Sequence, residues 1–462
     1  MLIRHGTVVT EGFTGVVDLR IEGELIAEIG PDLEPLPGEE VIDAKGKLVL
    51  PGGVDVHTHM SLDLGNVVAT DDFYTGTVAA ACGGTTTIVD HMGFGEPGWT
   101  ILDRVRHYQG MAKDKTVIDY SVHGCTNRVD SSVLDELEAL IAEGVTSHKV
   151  YTTYGGKLPD KDIFAILERT AELGVMICVH PENDGVVNYL REKFVREGKL
   201  TPEYHPLSRP PETEADAIHR IALMAHMAGD APLYIVHLTC ALGLDLIRTR
   251  RETGQRRLFA ETCPQYLVLD DTMYARPDGL KFIMSPPLRD KSNQEPLWQG
   301  MITDEIQTVG TDHCPFFYEK EKQLGKDDFT KAPGGAPGVE ARMPIIFSEG
   351  VSKGRFSVER FVELTATSPA KLFGMYPQKG VLKPGSDGDV VIFDPEREDV
   401  ITWEKLHENV DYTPYEGIKV KGVPVLTISR GKVVARDGEF VGKAGDGRFI
   451  KRGLPMTSDW DS

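Results

Sequence analysis

Two histidines one residue apart, His57 and His59, close the apolar run VDVHTH. Along a strand alternate side chains share a face, so these two imidazoles can grip one ion from the same side. The device recurs: His180 ends VMICVH, His237 ends LYIVH, Asp312 ends QTVGTD and Lys149 ends VTSHK. Six such residues on five strand ends form one candidate metal site. Imidazole and carboxylate donors without cysteine suit a catalytic zinc-type ion with a position open to water.

Four histidines and one aspartate exceed what one catalytic ion needs, so two divalent cations, zinc first, are expected. Two close cations need a bridging anion. The Lys149 ammonium would repel both, but a neutral amine adds CO2 to become a carbamate, and burial favours the neutral amine. A hydroxide between the ions is a nucleophile at neutral pH, because a metal lowers the pKa of its water to roughly 7. Asp312 can take that proton and pass it to a departing nitrogen. Tyr154, five residues beyond Lys149, can donate to a developing oxyanion. The implied reaction is hydrolysis of an amide-like bond. Taken singly, each residue has an ordinary structural role; Asp312, for one, is a good helix cap. Their joint placement carries the reading. His91, His123, His148 and His313 also stand at strand ends and are read as structural.

The elements that must position these groups follow from texture. Up to Pro51 the chain is short alternating strands with Gly-marked turns (LIRHGTVV, GVVDLRIEG, ELIAEIG, EVIDAKG), and the texture returns after about residue 380. Neither end has enough strands for a stable sheet, so residues 1–50 and 380–442 are expected to combine in a small β-sandwich domain, with 443–462 as an extension. Residues 51–379 alternate apolar strands with helical patterns such as Asp71–Cys82, Ser132–Glu143, Lys161–Leu173 and Glu214–Ala228. Eight near-continuously apolar strands of this kind predict an α/β fold, a closed parallel (β/α)8 TIM-like barrel whose chemistry sits at the C-terminal strand ends. An open doubly wound sheet would want a Gly-rich turn after its first strand, and HTHMSLDL is not one.

Composition sets outer limits. A formal charge of −21 and a pI near 5.1 argue against nucleic acid or an anionic membrane as partner. Six scattered cysteines without a CxxC pair suit reduced thiols, and no apolar signal or membrane-length run is seen, so a cytoplasmic location is expected.

At this point the chain resembles the hydantoinase and dihydropyrimidinase family of cyclic amidohydrolases. The resemblance runs nearly end to end through PGGVDVHTH (51–59), DDFYTGTVAAACGGTTTIVDH (71–91), SHKVY (147–151), VHPEN (179–183), YIVHLT (234–239), ETCPQYL (261–267), SPPLR (285–289), GTDHCPF (310–316), PGVEARM (337–343) and GSDGDVVIFDP (385–395). DHMGFG and GKAGDGRF look closest to the bacterial phenylhydantoinase branch.

The resemblance implies two zinc ions, one on His57, His59 and Asp312 and the other on His180 and His237, bridged by carboxylated Lys149 and a hydroxide. It implies substrate contacts from Tyr154 and the Ser285 backbone, and a homotetramer with the segment near 442–462 reaching a neighbour. The family's Pro-Asn-Gly, whose Asn main chain holds the substrate imide, is here Pro333-Gly334-Gly335, which keeps a main-chain contact at Gly334 but frees it to move. Leu62, Leu64 and Tyr151 match the apolar positions that set side-chain specificity in relatives.

Relatives that open dihydroorotate carry an arginine where this chain has Ser61, and noncatalytic scaffold relatives lose the ligands kept here. The expected substrate is a 5-monosubstituted hydantoin with an aromatic or bulky group, giving an N-carbamoyl amino acid; 5,6-dihydrouracil or dihydrothymine is the runner-up.

Overall fold

The computed structural model describes residues 1–460. Its centre is a parallel eight-stranded sheet in strict chain order: Gly53–Thr58, Thr85–His91, Asp119–Cys125, Ser147–Tyr151, Met176–His180, Leu233–Ile235, Leu258–Thr262 and Thr308–Val309. Every residue of these strands is buried except Tyr151, which is half-buried, as expected where helices cover one face and the barrel interior fills the other.

The ladder stops between the last strand and the first. That seam is closed by a parallel bridge from Thr58 to His313 and a hydrogen bond from His59 N to His313 O (2.9 Å). The buried Arg342 guanidinium reinforces it, donating to Val54 O (3.1 Å) on one side and Val309 O (3.0 Å) on the other. The result is the nearly closed TIM-like barrel expected from the alternation.

The intervening helices present one apolar stripe inward. In Asp160–Leu173 the buried residues are Ile163, Ile166, Leu167 and Thr170, one face at helical spacing, and the helix stops at Gly174 in the left-handed region (φ 72°). The other spans are Ser131–Ala142 and Pro211–Met227. The helix expected from Asp71 begins only at Thr75. Asp72 Oδ1 accepts from Thr75 N (3.0 Å) and Tyr74 N (2.8 Å), which holds a turn instead, while Asp71 turns inward to His313 Nε2 (3.0 Å).

Both chain ends supply the remaining sheets. A seven-stranded sheet sets Leu48–Pro51, Thr7–Thr10 and Phe13–Val16 beside Val390–Val400, Lys419–Ser429, Lys432–Arg436 and Glu439–Phe440. A four-stranded sheet is made from Leu2–Arg4, Asp18–Glu22, Leu25–Gly30 and Val41–Asp43. Ile3, Leu19, Ile21, Val49, Ile392 and Ile428 form one apolar core drawn from the two sheets.

Residues 443–460 lie along this chain's own barrel. Phe449 bridges to Tyr120, and the buried Arg452 donates to Ser121 Oγ (2.9 Å) and Val122 O (2.7 Å). Asp461 and Ser462, the end of the expected extension, lie outside the described residues. No helix among the described residues is long and apolar enough to cross a membrane.

Candidate metal centre and active site

The candidate ligands meet at the C-terminal mouth of the barrel, though not all on strands. Lys149 and His180 lie within theirs, His59 is one residue past Thr58, His237 two past Ile235 and Asp312 three past Val309. His237 (φ 40°), Asp312 (φ 53°) and Tyr154 (φ 70°) all adopt the left-handed backbone region, which costs non-glycine residues roughly 1–3 kcal/mol each and clusters at functional sites. Sequence periodicity could not reveal this, because it reports strands and not the turn that re-aims a side chain beyond one.

The geometry is compact. Asp312 Oδ1 lies 3.1 Å from His57 Nε2 and 3.2 Å from His59 Nε2, and His237 Nε2 is 2.9 Å from His180 Nδ1. His57, His237 and Asp312 bring donor atoms within 4.8 Å of one another. Lys149 is buried beside them, its ammonium 5.4 Å from the Tyr151 ring centroid. Among the described residues His57 Nε2, though close to Asp312, is buried without a well-formed hydrogen bond, a ligand atom of the kind a cation would take up. An imidazole–carboxylate set around one point therefore fits divalent metal.

Carboxylates behind the cluster fix the rings. Glu261 Oε1 accepts from His57 Nδ1 (2.6 Å) and His237 N (3.0 Å), while its Oε2 accepts from Tyr234 Oη (2.9 Å). Gly310 makes room for it: a Cβ there would sit 2.6 Å from Glu261 Oε2. Glu182 Oε2 accepts from His180 Nε2 (2.7 Å) and pairs with Arg209. Such partners leave the opposite ring nitrogen of each histidine facing the cluster. Sequence reasoning assigned no role to Glu261 or Glu182, because a single acid inside LFAET or VHPE has no spacing that marks it as a histidine's partner.

Electrostatics follow from burial and these partners. Burial alone would depress His57, but Glu261 and Asp312 outweigh it and raise it to about 9. Burial lowers His59 to about 4. For Asp312, burial is overridden by His57 and His59, which hold it well below the usual carboxylate range. Burial pushes Lys149 down, toward the neutral amine.

All the site residues expected from sequence line one cavity of about 350 Å³: the six candidate ligands, Tyr154, Ser285, Gly334, Leu62, Leu64 and Tyr151. Leu64 is 47% exposed at the rim. The cavity adds Phe94, edge-on to Tyr151 at 5.7 Å, a residue of the DHMGFG segment whose place in the wall the sequence does not reveal. Of the histidines read as structural, His123 is satisfied by Ser147 Oγ (2.7 Å) and Val56 O (2.9 Å), and His313 by Asp71. His91 and His148 differ: both are buried and their ring nitrogens lack partners among the described residues, and the His91 ring centroid lies 4.4 Å from that of His57.

A parallel barrel with an imidazole–carboxylate cluster at its C-terminal mouth is the architecture of a metal-dependent hydrolase. The chain belongs to the Amidohydrolase family, whose model matches residues 48–434. A D-phenylhydantoinase from Escherichia coli O1:K1 / APEC is 50% identical over 453 residues, covering 98% of each chain. Among solved structures, dihydropyrimidinase from Brevibacillus agri NCHU1002 superposes with a TM-score of 0.96 at 46% identity, covering 98% of this chain and 99% of that one. The D-hydantoinase from a Bacillus sp. AR9 gives 0.95 at 45% identity with the same coverage.

Proposed function

We propose that this enzyme opens cyclic ureides, with 5-monosubstituted hydantoins bearing an aromatic or bulky group as the leading substrates and N-carbamoyl amino acids as products. One observation carries the reading: a single cavity joins the buried imidazole–carboxylate cluster to a wall containing Leu62, Leu64, Phe94 and Tyr151. A polar reaction centre and an apolar pocket for a ring substituent are the two parts such a substrate needs. The kinship with D-phenylhydantoinase supports it.

We further propose two divalent cations, zinc first, held by His57, His59, Asp312, His180 and His237, with Lys149 as an N6-carboxylysine bridge. When bound, such cations supply Lewis acidity and lower the pKa of a water to roughly 7. The chain's own groups do the rest. The Asp312 carboxylate, held ionised beside His57 and His59, would accept a proton from the attacking water as its oxygen bonds to the carbonyl carbon, and hand that proton to the ring nitrogen as the C–N bond breaks. Tyr154, a phenol that stays protonated at neutral pH, donates to the carbonyl oxygen as charge develops. The backbones of Ser285 and Gly334 orient the imide, and the apolar wall takes the substituent. Residues 1–50 with 380–442, and 51–379, are proposed as the two domains; a cytoplasmic homotetramer is the proposed assembly.

The second reading, ring opening of 5,6-dihydrouracil or dihydrothymine, draws support from the similarity to a dihydropyrimidinase. Turnover of 5-phenylhydantoin and dihydrouracil on one preparation separates the two. Higher kcat/KM for phenylhydantoin is expected; a large preference for dihydrouracil reverses the order, and no turnover of either removes the proposal.

A further inference from the structure

One lysine outside the cluster holds both backbone segments assigned to the substrate imide. Lys322 is fully buried, and its ammonium donates to Ile283 O (2.6 Å), Pro333 O (2.9 Å) and Gly335 O (2.6 Å). No carboxylate pairs with it among the described residues. An ammonium has three donors on one atom, and here all three are spent on three carbonyls. Two of those carbonyls flank Gly334, and the third lies two residues before Ser285. The segments are joined directly by Gly335 N to Ile283 O (3.0 Å), while His205 Nε2 donates to Met284 O (2.7 Å).

This arrangement sets the spacing between Ser285 and Gly334. A Cβ built on Gly334 would lie 3.9 Å from Ser285 N with no closer atom than Ser285 Oγ at 3.8 Å, so the glycine itself is not locked by packing. The restraint comes from its neighbours. Neither Ser285 N nor Gly334 N has an acceptor among the described residues, and both residues line the cavity. The Pro333 carbonyl belongs to the same peptide group as Gly334 N–H, so a cation on that oxygen also strengthens the N–H as a donor. Burial pushes Lys322 down to about 7, yet three carbonyls around one nitrogen call for three N–H donors, which only the ammonium form supplies.

We propose that Lys322 is a positioning residue for substrate binding: it fixes the spacing of the Ser285 and Gly334 backbone that receives the imide, and it polarises the Gly334 N–H. The inference rests on the cyclic-ureide reading above. Its test is Lys322→Met, with steady-state kinetics on 5-phenylhydantoin, metal content, and hydrogen exchange of peptides spanning 283–286 and 330–336. KM should rise by about tenfold to a hundredfold, the scale of a small misplacement of binding groups, with kcat within about threefold and metal content unchanged. Exchange in the two segments should speed up while the barrel strands stay protected.

A folded Lys322→Met protein with wild-type KM and unchanged exchange overturns the inference. If that variant does not fold, Lys322→Gln, which keeps two donors, decides by the same split: raised KM supports the role, and wild-type KM, or a fall in kcat alone, refutes it. If the wild-type protein opens no cyclic ureide, the function reading has failed instead. The exchange measurement then judges Lys322 alone, with unchanged protection of the two segments counting against it.

Discussion

His57 and Glu261 are joined by a 2.6 Å contact between Nδ1 and Oε1, with both side chains buried, and the same carboxylate oxygen accepts from His237 N. One carboxylate thus fixes two of the candidate ligands from behind, one through its ring and one through its backbone. Glu261→Gln keeps the shape but replaces an anion with an amide that cannot accept as strongly. It should weaken metal binding by about tenfold to a hundredfold and lower turnover in parallel. Metal retained after dialysis against graded chelator checks this; retention equal to wild type would show that the His57 ring needs no such partner.

Lys149 tests the bridge. It is buried among histidines, and its depressed pKa favours the neutral amine on which CO2 can form a carbamate, with loss of one proton. Lys149→Ala should reduce activity below detection, and added short carboxylic acids should restore part of it by standing in for the missing anion. Mass spectrometry of the intact wild-type protein under mild conditions should show the mass of one added CO2. Full activity in the alanine variant would be incompatible with the bridge.

His205 gives the fold a defined acid sensitivity. Burial, with Arg209 nearby, lowers it from 6.5 to about 3, and its neutral ring donates to Met284 O. The unfolded chain takes up this proton below about 6.5, whereas the folded one resists it until about 3. In that window the unfolded state binds more protons, so stability present above the unfolded pKa is lost as pH falls. Thermal melts at about pH 7 and about pH 5, for wild type and His205→Gln, should show a smaller acid-induced drop in Tm in the variant. Equal drops would assign the acid sensitivity to other groups, His148 first, since burial lowers it to about 3 as well.

What was legible in the sequence divides along physical lines. Strands of the barrel announce themselves because both faces are buried, so VMICVH is apolar up to its terminal histidine, which stands out. The ligand set was readable for the same reason, since polar residues at the ends of apolar runs need an explanation. Left-handed turns at His237 and Asp312 were not, because histidine and aspartate, although enriched in that region, mostly adopt others. Glu261 was hidden by its own environment: as one acid inside LFAET it carries no spacing that distinguishes a partner of His57 from a strand residue. Lys322 was invisible, since its meaning lies in three carbonyls separated from it by up to 39 residues in the chain.

The seam of the barrel offers the sharpest test of the fold. The last strand is only Thr308–Val309, and the ladder does not pair it with Gly53–Thr58. Arg342 compensates from inside: beyond Val54 O and Val309 O, its guanidinium donates to Thr85 Oγ1 (3.0 Å) and reaches Thr365 O (3.4 Å), with Asp55 Oδ2 4.0 Å from Nε. Asp55 in turn accepts from His57 N (3.1 Å) and Thr311 Oγ1 (2.6 Å), so seam and ligand loops share one buried network. Arg342→Met removes the donors and leaves Asp55 and the carbonyls buried without them, which should destabilise the fold by roughly 3–5 kcal/mol. Arg342→Lys should recover little, because an ammonium at the end of a single stem cannot span acceptors on both sides of the gap. Denaturant unfolding measures both variants; a loss below about 1 kcal/mol in Arg342→Met would mean that the His313 backbone alone closes the barrel.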